Sequence, residues 1–137
     1  MSEKHYDPRY LSYFECFNRQ RFFEAHEVLE ALWLPQRQGP NGSFYKGLIQ
    51  LAGAFVHWQK HRPGPAAALF KRAQTHLRQY PATHEGLCVE NVLVLTDEWL
   101  DQLTAAPPGV FPPAPTGAPQ LQLEVLGHEF DRRDGGQ

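Results

Sequence analysis

The sequence has few cysteines and no long apolar segment, and both absences limit what the protein can be. No stretch reaches the roughly 20 apolar residues that a membrane-spanning helix needs, and residues 1–7 lack the apolar core of a signal peptide. The two cysteines, Cys16 and Cys88, lie far apart within apolar helical patterns. They indicate small buried thiols rather than a disulfide framework or a redox pair. We therefore expect a soluble cytoplasmic protein with no membrane role.

An excess of positive charge is also missing. The formal net charge is −2, the sequence pI is about 6.4, and the lysines and arginines are scattered along the chain. Because nucleic-acid binding needs a basic patch or stripe, we do not expect a nucleic-acid partner. A chain of 137 residues with 42% hydrophobic residues is instead long and apolar enough for one compact core.

Apolar residues recur with the period of an α-helix over most of the chain. Asp7-Pro8 is a typical helix start, Asn41 or Ser43 can cap a later helix, and Pro35 and Pro63 mark helix ends. No strand-and-hairpin pattern competes, so the predicted fold class is all-α. The pattern predicts a compact bundle of about five helices, at about residues 8–18, 20–34, 43–61, 65–79 and 85–104.

The composition changes after the predicted bundle. Six of the 12 prolines lie between Pro107 and Pro119, which excludes a regular helix or a central strand there. We therefore divide the chain into a helical bundle domain, 1–105, and a proline-rich extended C-terminal arm, 106–137. The arm also carries apolar residues, which predicts that it lies over the bundle or over a neighbouring subunit; these residues are Leu121, Leu123, Val125, Leu126 and Phe130.

The second and third predicted helices carry the polar residues of most interest. His26 and Glu30 are four residues apart and lie together at the edge of the apolar stripe of the second helix. The third helix is apolar over most of its circumference and bears a polar stripe of its own. We predict a polar cluster between the two helices, and a possible ligand-binding site, formed by His26, Glu27, Glu30, Gln50 and His57. Of the two interpretations we favour a structural network whose polar groups satisfy one another.

A metal site is an open alternative for the same residues. His26, Glu30 and His57 offer two imidazoles and a carboxylate, which divalent zinc, iron, manganese or nickel accepts. The spacing His-Glu-x-x-Glu lacks the second histidine of the zincin motif. A di-iron carboxylate bundle needs more inward-facing glutamates, whereas Glu27 is predicted to point outward. Neither motif therefore names a reaction.

The combined pattern of these helices resembles the family catalogued as domain of unknown function 309. The resemblance runs from about Tyr10 to about Tyr80 and leaves out the C-terminal arm. It implies a small all-helical bundle of bacteria and archaea, and it brings no established activity, substrate or cofactor. It is carried by Phe17-Asn18, by the run Phe22 to Glu30 with Trp33, and by the run Phe44 to Ala52 with His57.

Two functions of different classes remain open at this point. The first is a non-enzymatic binding or self-association protein without a cofactor, which predicts a homo-oligomer or an unidentified protein partner. The second is a metal-dependent hydrolase or small-ligand enzyme that uses His26, Glu30 and His57 with a divalent metal ion. Whether the protein is an enzyme stays undecided by the sequence.

Overall fold

A computed structural model describes residues 5–124 of the chain. The predicted all-α class is confirmed for these residues, which form five helices and one short hairpin. None of the described helices is both long enough and apolar enough to cross a membrane. In chain order the elements are α1 (Pro8–Asn18), α2 (Phe22–Trp33), a 3-10 turn (Leu34–Gln36), α3 (Gly42–Gln59), α4 (Pro63–Leu77), β1 (Thr83–His84), β2 (Leu87–Cys88) and α5 (Val89–Ala105).

Helix ends follow from local chemistry. The Asp7 carboxylate accepts a 2.8 Å hydrogen bond from the backbone N–H of Arg9 and caps α1, and Pro8 occupies the first helical position. α4 likewise starts on a proline, Pro63, two residues before the predicted start. Two helices end on residues with positive φ, Gln20 after α1 and His61 after α3. These left-handed residues turn the chain sharply into the next helix.

The core is centred on α3, which packs against both α2 and α4. The Phe55 ring on α3 lies 5.0 Å from the Phe22 ring, 5.1 Å from the Phe70 ring and 4.8 Å from the Trp99 ring, measured between centroids. Such edge-to-face and stacked contacts join α2, α3, α4 and α5. At Gly47 a Cβ atom would lie 2.8 Å from Leu77 Cγ, so this glycine allows α3 and α4 to approach closely.

The predicted start of the fifth helix is wrong. Residues 83–88 form a hairpin in which Thr83 pairs with Cys88 and His84 pairs with Leu87. Its two-residue turn has φ values of 49° at Glu85 and 74° at Gly86, as a type I′ turn requires. The sequence did not indicate a hairpin because each strand has only two residues, too few to show an alternating pattern.

The described part of the C-terminal arm is extended and lies on its own bundle. The Phe111 ring packs against Trp58 and stacks on His61 with a centroid distance of 4.4 Å. Further along, Leu121 and Leu123 are buried, and Leu123 forms an antiparallel bridge with Leu87 of the hairpin. The other predicted apolar contacts of the arm, those of Val125, Leu126 and Phe130, lie outside the described residues.

Asn18 fixes the arm at the end of α1. Its side-chain amide donates to the Leu121 carbonyl at 2.8 Å, and its side-chain oxygen accepts from the Leu121 N–H at 2.7 Å. One asparagine thus pairs with both backbone groups of Leu121, as a neighbouring strand does.

Candidate functional site

The two faces of α2 have different roles. One face is buried in the core and consists of Phe22, Ala25, Leu29 and Leu32. The opposite face carries Phe23, which is 60% exposed, and Leu34, which is 52% exposed. Leu34 keeps helical dihedral angles, so the spacing of eleven residues places it three turns from Phe23 on the same side. We call Phe23, His26, Glu27, Glu30 and Leu34 the α2 surface.

The middle of the α2 surface holds a histidine and two carboxylates that lie close together. One ligand atom from each of His26, Glu27 and Glu30 lies within 4.8 Å of the other two. His26 Nδ1 is buried and has no hydrogen-bond partner, although the side chain as a whole is partly exposed. Its 3.6 Å distance to Glu27 Oε2 is too long for a hydrogen bond. These polar atoms are close together, yet they do not satisfy one another.

Gln50 does not join this cluster. Its side-chain oxygen is 2.8 Å from His76 Nδ1 on α4, and the same nitrogen is 3.1 Å from the Arg72 carbonyl. Because the Arg72 carbonyl can only accept, His76 Nδ1 carries the proton and donates to both oxygens. Gln50 therefore connects α3 to α4 and not, as predicted, to the second helix.

His57 also lies apart from the cluster. Among the described residues, the group close enough to hold one cation contains His26, Glu27 and Glu30, and His57 is not part of it. Burial lowers the pKa of His57, and the charges of Arg62 and Lys60 lower it further. The structure thus brings together three of the five predicted site residues, and the predicted ligand set of His26, Glu30 and His57 is not assembled.

Trp33 and Lys46 lie where α2 meets the start of α3. The Lys46 ammonium is 4.5 Å from the centroid of the Trp33 ring, a cation–π distance. Trp33 is partly buried against the core. This contact ties α2 to α3 one turn beyond Glu30.

A second polar cluster lies at the hairpin, and no local sequence pattern indicated it. Asn41 donates to a Glu85 carboxylate oxygen at 2.8 Å, and its own side-chain oxygen is 2.7 Å from His84 Nε2. The Tyr10 hydroxyl donates to the Glu85 carbonyl at 2.8 Å. We call Tyr10, Asn41, His84 and Glu85 the hairpin cluster. It holds Glu85 in a left-handed conformation that non-glycine residues rarely adopt.

Asn41 explains why sequence reasoning missed the hairpin cluster. Its position just before α3 was predicted to be a helix cap, and it does occupy that position. Its side chain makes no capping hydrogen bond, because it reaches the hairpin 44 residues away in sequence instead. A contact over such a sequence distance leaves no local signal.

The Tyr10 phenol stays a hydrogen-bond donor. Burial raises its pKa far above the ordinary value, and the nearby negative charge of Glu85 raises it further. The hydroxyl is therefore protonated at any physiological pH, and its bond to the Glu85 carbonyl is a structural contact.

A comparison with protein families finds a match for much of the helical part of the chain. Residues 10–69 match a family described as Domain of unknown function (DUF309). This segment, which is less than half of the chain, is similar to the DUF309 family. It spans α1, α2, α3 and the first half of α4, so it contains the whole α2 surface and excludes the hairpin and the arm. No curated protein and no solved structure matches the chain.

The DUF309 match confirms the resemblance and ends at residue 69, short of the predicted limit near Tyr80. The family description names no activity. The function of the DUF309 segment therefore has to be argued from its own exposed groups.

Proposed function

We propose that this protein is a non-enzymatic helical module that works in the cytoplasm by associating with a second copy of itself through the α2 surface. The observation that supports this most is the exposure of two large apolar side chains, Phe23 and Leu34, at the two ends of one helix face. Exposed large apolar residues that share one face are typical of interaction sites.

The order of residues along α2 is compatible with self-association. Phe23 and Leu34 lie equally far from the peptide bond between Val28 and Leu29. In an antiparallel pair of α2 helices related by a twofold axis at that point, Phe23 of each copy faces Leu34 of the other. A twofold interface needs such a self-complementary surface, because the same patch must serve both subunits.

The apolar contacts would give such a dimer a modest affinity. Removing a phenylalanine or leucine side chain from water contributes about 1.5–3 kcal/mol. The twofold axis repeats the Phe23–Leu34 contact twice, and association also has to offset the lost freedom of the two chains. A concentration-dependent dimer is the expected species.

Sedimentation velocity on the full chain, purified without chelator, tests this proposal. Phe23→Ser and Leu34→Ser each remove an anchor and should weaken the dimer about tenfold or more. Val94→Ser is the matched control, since Val94 is 55% exposed on α5, outside the α2 surface.

A strictly monomeric wild-type chain at high concentration would contradict the proposal. So would a dimer that Val94→Ser weakens while Phe23→Ser leaves it unchanged. Circular dichroism of each variant checks that its helices are intact.

A further inference from the structure

We infer that His26, Glu27 and Glu30 form half of a divalent-cation site, which the same three residues of a second copy complete. This site rests on the proposed self-association, and it makes that association dependent on a metal ion. The class of ligand is a first-row divalent cation such as Zn²⁺ or Mn²⁺.

The three side chains supply the donors that such a cation accepts. Imidazole nitrogen and carboxylate oxygen are the usual ligands of zinc, iron and manganese in proteins. Ligands of one tetrahedral zinc ion, each bonded at about 2.0–2.2 Å, lie about 3.3–3.6 Å from one another. The ligand atoms of His26, Glu27 and Glu30 already lie within 4.8 Å of one another. Side-chain rotations that shorten these separations by about 1 Å bring the three atoms to one cation.

His26 is also available for a ligand. Its Nδ1 is buried and unpartnered in the fold, whereas buried polar atoms are normally hydrogen-bonded. The Phe23 ring lies nearly parallel to the imidazole, at an interplanar angle of 15° and a centroid distance of 6.3 Å. The residue that forms the apolar end of the α2 surface thus also lies beside the histidine of the cluster.

One copy fills only part of the coordination shell and leaves the rest to water or to a second copy. All three ligands come from a single helix, at positions i, i+1 and i+4, so they occupy one side of a bound cation and leave the opposite side open. The same twofold pairing that places Phe23 against Leu34 also places Glu27 against Glu30, because these two residues are equally far from the same midpoint. The carboxylates of the two copies therefore meet at the centre of the pair.

This convergence determines how the cation affects association. Without a cation, four carboxylates gather between the two helices, and their mutual repulsion opposes the apolar contacts at the ends. With a divalent cation, carboxylates and imidazoles from both copies become its ligands, four of them for zinc. The metal ion therefore changes the centre of the interface from repulsive to attractive.

The experiment measures sedimentation velocity and zinc binding on the full chain after removal of metal with EDTA. Zn²⁺ added to the wild type should tighten the dimer by tenfold or more, and Mg²⁺, which prefers oxygen ligands and keeps its waters, should have much less effect. His26→Gln and Glu30→Gln should abolish the zinc effect. Glu24→Gln is the matched control, since Glu24 lies on the same helix outside the cluster and should respond like the wild type.

The outcomes separate the cation site from the proposed self-association. A wild-type dimer that is equally tight in EDTA and in zinc, and that Phe23→Ser dissociates, overturns the cation site and leaves the proposed function intact. A chain that is monomeric under every condition overturns both. Zinc-driven association that persists in Glu30→Gln and His26→Gln overturns the assignment of the ligands.

Discussion

His26, Glu27 and Glu30, which we call the α2 cluster, and the hairpin cluster both contain a histidine and a glutamate, and they differ in how these groups are bonded. At the hairpin, Asn41 lies between Glu85 and His84 and pairs with both at 2.7–2.8 Å. On α2, the closest approach of His26 to a neighbouring carboxylate is 3.6 Å, and its Nδ1 has no partner. The first cluster is internally bonded and the second is not.

This difference separates polar groups that hold the fold from polar groups that can serve a ligand. A buried hydrogen bond stabilises a fold. When one partner is removed, the other stays buried without a hydrogen bond, and its lost hydration is no longer compensated. A group with no partner in the fold loses nothing of that kind when it is replaced. Substitutions in the hairpin cluster are therefore expected to lower the stability of the fold. Substitutions in the α2 cluster are expected to affect binding instead.

The largest effect is expected at Asn41. Asn41→Ala leaves the Glu85 carboxylate and His84 Nε2 without this partner and should lower the free energy of unfolding by about 1–3 kcal/mol. Urea denaturation measures the change. Asn91→Ala is the control, because Asn91 is exposed on α5, and it should change stability by no more than about 0.5 kcal/mol. Equal effects of the two substitutions would mean that the hydrogen bonds of Asn41 do not stabilise the fold.

Asn18 is a second asparagine whose side chain is hydrogen-bonded, and it lies outside both clusters. Asn18→Ala removes both hydrogen bonds to the Leu121 backbone and should cost about 1–2 kcal/mol. Hydrogen exchange should show faster exchange of the Leu121 and Leu123 amides, while the amides of α3 stay protected. Unchanged exchange of the arm would mean that its buried leucines hold it without Asn18.

The α2 cluster should show the opposite behaviour. In EDTA, His26→Gln and Glu30→Gln should each change the free energy of unfolding by no more than about 0.5 kcal/mol, because the buried His26 Nδ1 has no hydrogen-bond partner to lose and Glu30 is only partly buried. Glutamine keeps the helix propensity high, so the substitution tests the polar group alone. A loss as large as that of Asn41→Ala would make the α2 cluster a structural network.

The smallest effect on stability is expected from the titration of His57, whose Nδ1 is also buried and has no hydrogen-bond partner. Its pKa is lower in the folded protein than the ordinary value of about 6.5, mainly through burial. The unfolded chain therefore takes up this proton first as the pH falls, and the protein loses stability from about pH 6.5 down to the folded pKa.

His57→Gln should reduce this loss and leave stability at pH 8 nearly unchanged. Denaturation curves at several pH values measure it, with His5→Gln near the N-terminus as the control. A pH dependence identical in wild type and His57→Gln would contradict the lowered pKa.

Most of the fold could be predicted from the sequence because the helices are long and their apolar residues recur regularly. α1 occupies the predicted residues, and the other helices start or end within a few residues of the prediction. The hairpin was missed because its strands are short, and its turn uses Glu85 where asparagine or aspartate is usual before the glycine.

Of the candidate site, only the residues that lie together on one helix were predicted correctly. His26, Glu27 and Glu30 come together because helical spacing alone brings positions i, i+1 and i+4 close. Gln50 and His57 were assigned to the same cluster from their position on the neighbouring helix. The rotation of α3 against α2 and α4 is set by packing, such as the close approach of Leu77 to Gly47, and no local pattern reveals it.

Native mass spectrometry of the full chain tests the metal-bridged dimer, because one spectrum gives both the number of copies and the number of bound metal ions. We expect a dimer that carries zinc after incubation with Zn²⁺, and loss of the bound zinc in Glu30→Gln but not in Glu24→Gln. A metal-free monomer in the wild type, under conditions where other zinc-bridged dimers survive, would contradict this expectation.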